Sequence, residues 1–277
     1  IDHGAACIIA THGQYPVKTI ITEDTKSYLA NYLKELNMEK MAKIKLIGIT
    51  GTNGKTFTGS IMTQLLNNLN MKTAFIGTNG FYLDGKTKPL SSTTPDLYEI
   101  YELIGEAINN NCKAIVIEIS SKAIRQRHIE GLRFDVVILT NFIAHQRKDK
   151  EDYLNTKIEP FKMLKKGGCA IINKKDNYSS YFALPNNKNI FYASQDSEYP
   201  IRKLKTNYDF TEFTLGENRI KLPLIGSFAM INYTAAFIAA KMLLFPDDAI
   251  ISATLSLSQV DGRFETIKYK NNLIIID

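Results

Sequence analysis

The chain has 277 residues, of which 44% are apolar and 22% charged, and a formal net charge of +6. That mixture suits a globular protein with a large core, and no apolar run approaches the roughly 18 residues of a membrane span, so no membrane insertion is expected. The densest basic clusters, "QRKDKED" and "INKKDN", are interrupted by acids, which reads as a solvated surface and argues against nucleic-acid binding.

The first residues, "IDHGAACIIA", show no basic n-region or cleavage site, so no signal peptide is expected. Cys7, Cys112 and Cys169 are few and widely spaced, as in a reducing cytoplasm, with neither a disulfide framework nor a zinc site. "GAACIIA" and "KTIIT" read as short strands, Thr25 to Leu36 as a helix and "LNMEKMAK" as a connector. From Lys45 apolar runs alternate with helical stretches. The runs are "IKLIGIT", "KTAFIGT", "KAIVIEIS", "FDVVILTN" and "GCAIIN"; the helices are expected near 55–70, 96–110 and 149–165. Thr94-Pro95-Asp96 reads as a helix start, with Thr as cap and Pro at the first position. This alternation predicts an α/β fold, a mainly parallel sheet flanked by helices. After "GCAIIN" the pattern loosens. "YDFTEFTL" and "NRIKLPL" then read as antiparallel strands, followed by helices from about Ser227 to Leu244 and Asp247 to Leu257. "NNLIIID" reads as a strand entering another domain.

Between the first regular strand and its helix lies "GITGTNGKTFT". Its first glycine, Gly48, stands one place early for strict Walker A spacing, but Gly51-Thr52-Asn53-Gly54-Lys55-Thr56 keeps what phosphate binding requires. Gly51 and Gly54 let backbone N–H groups turn toward phosphate oxygens, and the following helix presents its positive end. Lys55 reaches the terminal phosphates, and the Thr56 hydroxyl suits Mg²⁺. Glu118 ends the run "AIVIE", at the strand edge where open α/β sheets bind ligands. It suits a metal ion there, or else a backbone or lysine partner.

The string "GITGTNGKT", with "SSTTPD", "EISSKAI" and "LTNF", resembles the Mur ligase family of ATP-dependent amide-bond-forming enzymes. Within it the combination is most similar to the UDP-N-acetylmuramoyl-tripeptide synthetases. The resemblance implies a P-loop central domain over 47–260, a partial smaller α/β N-terminal domain for the UDP-substrate over 1–46, and the start of a C-terminal ligase domain over 261–277. It implies addition of the third amino acid to UDP-N-acetylmuramoyl-L-alanyl-D-glutamate through an acyl phosphate, in cytoplasmic peptidoglycan synthesis. The implied partners are that UDP-muramoyl-dipeptide and an amino acid, and the implied state is a monomer. By the same resemblance residues 1–277 lack parts of the enzyme at both ends, and are expected to be inactive alone.

The resemblance also assigns residues. ATP falls to Gly51, Thr52, Asn53, Gly54, Lys55, Thr56 and Thr58, with Asn232 at adenine, Arg263 near the nucleotide and Asp277 at the ribose. Lys55, Glu118 and Lys157 are the catalytic set. Mg²⁺ falls to Thr56, Glu118, His145 and Lys157, the lysine as its CO₂ carbamate. Thr93, Thr94, Ser120, Ser121 and Arg127 fall to the muramoyl substrate. Alternatives remain from the residues themselves: a solvated His145, an exposed Lys157, Thr94 as a plain cap, Arg263 in a salt bridge. Ala144, Ala229 and His128 stand where the family has Asp, Asn and Arg. They motivate a second reading, a nucleotide-binding homologue with impaired catalysis. Another Mur ligase or a folylpolyglutamate-type ligase is the alternative enzyme. A generic P-loop ATPase explains neither "TTPD" nor the Ser pair.

Overall fold

The computed structural model describes residues 4–143, 149–207, 209–269 and 272–277. Near its start β1 (Cys7–Ala10) and β2 (Lys18–Ile21) pair in parallel. Helix α1 (Thr25–Met41) follows, with Asp24 Oδ1 accepting from the N–H groups of Lys26 and Ser27 at its start. The helix continues through the expected connector. That stretch has no Gly or Pro to stop it, and the Asn37 amide donates back to Leu33 O at 2.8 Å, inside the helix.

The main sheet contains β3 (Lys45–Thr50), β4 (Thr73–Gly77), β5 (Gly80–Leu83), β6 (Lys86–Lys88), β7 (Ala114–Glu118), β8 (Phe134–Leu139), β9 (Leu164–Asn173) and β10 (Lys188–Tyr192). Their spatial order is β10-β9-β8-β3-β7-β4-β5-β6. The strands from β10 to β4 in that order are parallel, and β5 and β6 add an antiparallel hairpin at the edge. The central strands are buried on both faces, which is why they read as unbroken apolar runs. In β7 the alternation separates two cores: Ala114 and Val116 face one, Ile115 and Ile117 the other.

Helices cover both faces. α2 (Lys55–Asn68) lies in the first core, while α3 (Leu97–Asn109), α4 (Ser121–Arg125), α5 (Lys150–Lys162) and α6 (Ser179–Phe182) join α1 in the second. Asp96, not Thr94, caps α3, its Oδ1 accepting from Glu99 N at 3.0 Å. Thr94 is drawn away into the site described below. α3 buries Leu97, Ile100, Tyr101, Ile104 and Ala107, the stripe of an amphipathic helix.

Beyond β10 come the antiparallel strands β11 (Ile201–Thr206), β12 (Thr211–Leu215) and β13 (Asn218–Leu222), then α7 (Ser227–Met242) and α8 (Asp247–Thr254). α7 is buried nearly all round, against α2 on one side and β12 on another, so it needs apolar residues on every face. β14 (Glu265–Tyr269) and β15 (Asn272–Ile276) form a final hairpin. Among the described residues no helix is long and apolar enough to cross a membrane.

Candidate active site

The phosphate-loop residues leave β3 at its carboxyl end, between β7 and β8, and enter α2. Gly51 has φ +145° and Gly54 φ +80°, both in the region that favours glycine. No side chain caps the start of α2, so the helix's positive end is left to the loop backbone. The Thr58 hydroxyl donates to Gly54 O at 2.8 Å and so supports this first turn from within. The Lys55 ammonium donates to Thr52 O at 3.0 Å. Burial holds Lys55 below its ordinary pKa; Glu118 opposes that shift and Arg263 adds to it.

Glu118, 2% exposed, sits across from the loop. Thr56 Oγ1 lies 3.1 Å from both its carboxylate oxygens, and Thr78 donates from its N–H at 3.0 Å and from its hydroxyl at 3.2 Å. These partners are neutral, and among the described residues no ion pair closes on Glu118. A buried carboxylate of this kind is costly without a cation, and Mg²⁺ is a fitting one. No cluster of three or more His, Cys, Asp or Glu is found among the described residues. One carboxylate beside a threonine hydroxyl and a phosphate loop suits Mg²⁺, which takes few protein ligands and shares the rest with phosphate and water. His145, with Ala144 and Arg147, lies outside the described residues.

Lys157 is 1% exposed, which removes the exposed-helix alternative. Its ammonium donates to Gly51 O at 3.0 Å and Thr50 Oγ1 at 3.2 Å, so α5 delivers it to the base of the phosphate loop. Four residues earlier Tyr153 places its hydroxyl 3.2 Å from Thr52 Oγ1, while its ring stacks on Phe142.

The Thr93–Thr94 loop joins the same edge. Thr93 Oγ1 lies 3.1 Å from Thr78 Oγ1; Thr94 Oγ1 donates to Glu118 O at 2.6 Å and accepts from Ser120 N at 3.1 Å. Ser120 caps α4 by accepting from Ala123 N, and Ser121 opens that helix. His128 Nδ1 is 3.0 Å from Thr94 O, beneath the loop.

Arg127 stands apart from these residues in its bonding. Its guanidinium pairs with Asp24 at 2.5 Å and with Glu130, and donates to Ser27, tying the start of α1 to the segment after α4. The Arg127 hydrogen bond holds the Asp24 carboxyl down at about 2, and Glu130 is lowered by the same partner. Both carboxylates are depressed in the fold, so their contribution is present above the ordinary carboxylate range and fades as pH falls toward 2. The loss of Tm between about pH 5 and about pH 3 is therefore expected to be smaller in Arg127→Ala than in the unaltered chain, by parallel thermal melts. Equal losses would show that the cluster does not couple to folding.

At the far side of the loop the Asn232 amide abuts Gly54, where a Cβ would stand 3.1 Å from both its terminal atoms. Arg263 lines a pocket of about 160 Å³ together with Phe57, Phe228 and Phe264. Phe228 packs edge-on against the other two rings, at 5.3 and 4.9 Å. Asp277 bonds to one of the lining residues, its Oδ1 accepting from Phe264 N at 3.1 Å.

Sequence reading missed Thr78, Asn141 and the three phenylalanines. Asn141 lies inside the quoted "LTNF"; Thr78 carries no local signal, since only the fold brings it to Glu118.

Comparison with known proteins gives a concordant picture. The family model for the Mur ligase middle domain matches residues 49–240. A Helicobacter pylori UDP-N-acetylmuramoyl-L-alanyl-D-glutamate–2,6-diaminopimelate ligase is 34% identical over 248 residues, 85% of this chain and 55% of that protein. A Staphylococcus haemolyticus UDP-N-acetylmuramoyl-L-alanyl-D-glutamate–L-lysine ligase is 28% identical over 287 residues, 96% of this chain and 57% of the relative. The chain thus spans little more than half the length of these curated relatives. Among solved structures, a UDP-N-acetylmuramoyl-L-alanyl-D-glutamate–2,6-diaminopimelate ligase superposes with a TM-score of 0.87 at 22% identity, covering 99% of this chain and 59% of that one. By its matched middle domain, and with the phosphate loop, Glu118 and Lys157 at one sheet edge, the chain belongs to the Mur ligase family.

Proposed function

We propose that the chain is the nucleotide-binding part of a ligase that adds the third amino acid to UDP-N-acetylmuramoyl-L-alanyl-D-glutamate, at the expense of ATP, in peptidoglycan synthesis. The convergence of phosphate loop, buried Glu118 and buried Lys157 beside the Thr93–Thr94 loop carries this reading. Gly51 to Thr56 form the cradle for the β- and γ-phosphates, offering the N–H groups that open α2, since Thr52 N and Asn53 N already donate to Asn141, and Lys55 offsets the phosphate charge. Asn232, Arg263 and Asp277 take the nucleoside side, where the pocket beside Phe228 offers an aromatic wall. Thr56 and Glu118, with His145, would hold Mg²⁺, which supplies charge neutralisation on the phosphates. Thr93, Thr94, Ser120 and Ser121 offer hydroxyls to the muramoyl substrate, and Arg127 acts through its hold on α1.

Two anions must meet for the first step. A substrate carboxylate oxygen bonds to the γ-phosphorus as the bond to the β,γ-bridging oxygen breaks and ADP leaves. The amine of the incoming amino acid then attacks the acyl carbon, phosphate departs, and the amine gives up a proton. This chain's residues position and neutralise; no side-chain nucleophile is needed. We assign Lys157 a carbamate, formed when the neutral amine bonds to the carbon of CO₂ and loses a proton. Its seat against Gly51 O and Thr50 Oγ1 would place that anion at the base of the loop. The reading places the chain in the cytoplasm as a monomer, with domains over 1–46, 47–260 and 261–277.

Titration calorimetry with and without Mg²⁺ tests it. ATP is expected to bind at least about tenfold more tightly with Mg²⁺, and Glu118→Gln to remove most of that difference. A carbamate resonance under ¹³CO₂, missing in Lys157→Arg, is the expected carbon NMR result. ATP binding indifferent both to Mg²⁺ and to Glu118→Gln would overturn the metal assignment.

A further inference from the structure

The phosphate loop is held by a residue from another strand. Asn141, just past β8, donates its side-chain amide to Asn53 O at 3.0 Å and accepts from Asn53 N on its own Oδ1 at 3.0 Å. A single side chain thus closes a two-bond ring on one peptide residue, as a neighbouring strand would. Its backbone joins in: Asn141 O accepts from Thr52 N at 2.9 Å. Thr140 Oγ1 adds a bond of 2.7 Å to Asn53 O, so two donors turn that carbonyl toward β8. Ile143 N donates to Thr52 Oγ1 at 2.9 Å, and the Tyr153 hydroxyl approaches the same oxygen.

We propose that Asn141 is a positioning residue for the phosphate loop, which it keeps in its anion-binding shape before any nucleotide arrives. The proposal rests on the phosphate role assigned above. A loop whose N–H groups must converge on an anion loses conformational freedom on binding unless something else has already fixed it. Asn141 turns the Asn53 carbonyl away from the cradle and holds Asn53 N, leaving the next residues to enter α2. Only a side chain with a donor and an acceptor at this reach does both. Aspartate has two acceptors and would set one against Asn53 O, while alanine has neither.

The test compares the unaltered chain with Asn141→Ala, Asn141→Asp and, as a control on the phosphate role itself, Lys55→Ala. Calorimetry would measure binding of Mg-ATP and of inorganic tripolyphosphate, and thermal melts would follow folding. Both ligands are expected to bind about tenfold to a hundredfold more weakly to the two Asn141 variants, the weight of two hydrogen bonds. The loss should be the same factor for each ligand, because it falls on the phosphate cradle and not on the nucleoside. Unchanged affinities in folded Asn141 variants would overturn the positioning role. So would a loss confined to ATP with tripolyphosphate unaffected. Absence of ATP binding by the unaltered chain would instead remove the phosphate role on which the proposal stands. Asn141→Asp keeps the shape of the side chain, so its affinities decide the matter if Asn141→Ala fails to fold.

Discussion

Replacing Lys55 by methionine is expected to weaken ATP binding at least about a hundredfold while leaving the ligand-free protein at least as stable as before. The ammonium is buried, and burial lowers its pKa; the attraction of Glu118 recovers only part of that cost, and Arg263 adds repulsion. With a folded pKa below the unfolded one, the unfolded chain binds more protons and Lys55 subtracts from stability below its unfolded pKa; that cost is relieved as pH rises. Methionine keeps most of the apolar stem and discards the charge, so the melt should hold or rise as binding collapses. A triphosphate reverses the balance by supplying anions at the ammonium. The complex then keeps Lys55 protonated to higher pH than the free protein does, and ATP affinity must fall as pH rises through the lowered pKa. Calorimetry in alkaline buffers of differing ionisation enthalpy should record proton uptake on binding, absent in Lys55→Met. Binding that survives this substitution, or takes up no protons at high pH, would place the phosphates elsewhere.

The parts of this site that were legible in the sequence are those whose chemistry is local. Gly51, Gly54, Lys55 and Thr56 lie close together in sequence, between a buried strand and a helix, the short spacing from which a phosphate loop is read. Glu118 was legible as a charge ending an apolar run. Of its partners, Thr56, 62 residues away, was joined to Glu118 only by the Mg²⁺ set that the resemblance implies, and Thr78 was not legible, since it reaches Glu118 from 40 residues away. The same holds for Asn141 and Asn53, 88 residues apart, and for Arg127 and Asp24, 103 apart. Central strands were legible because burial on both faces demands apolar residues throughout. Edge elements lack that demand. β10 alternates "KNIFY" along one side of the sheet, β6 is "KTK" and wholly exposed, and β11 carries an irregularity between Arg202 and Lys205. α1 outran its expected end for a related reason, since its last turns bury little and show no apolar period.

Gly51→Ala is expected to cost about 3 kcal/mol or more of folding stability and to abolish ATP binding, the largest effect of any single methyl group added to the loop. Two penalties coincide there. At φ +145° an L-residue is strained whatever the space around it. The added Cβ would also stand 1.9 Å from Thr140 Oγ1 and 3.0 Å from Asn141 O, so it would strike the hydroxyl and backbone that hold the loop. Gly54→Ala should be milder, about 1–2 kcal/mol, because its Cβ meets only the tip of the Asn232 side chain at 3.1 Å. A double-mutant cycle separates strain from collision. Thr140→Ala alone forfeits the hydroxyl's bond to Asn53 O, but in the Gly51→Ala background it also relieves the clash. The second substitution should therefore cost less after the first than before it, with a coupling of about 1 kcal/mol or more by denaturant titration. Strict additivity would mean that the backbone has moved away from Thr140 and that strain at Gly51 carries the whole effect. Coupling joined to loss of ATP binding would show that the turn after β8 and the phosphate loop behave as one rigid unit, with glycine required where they touch.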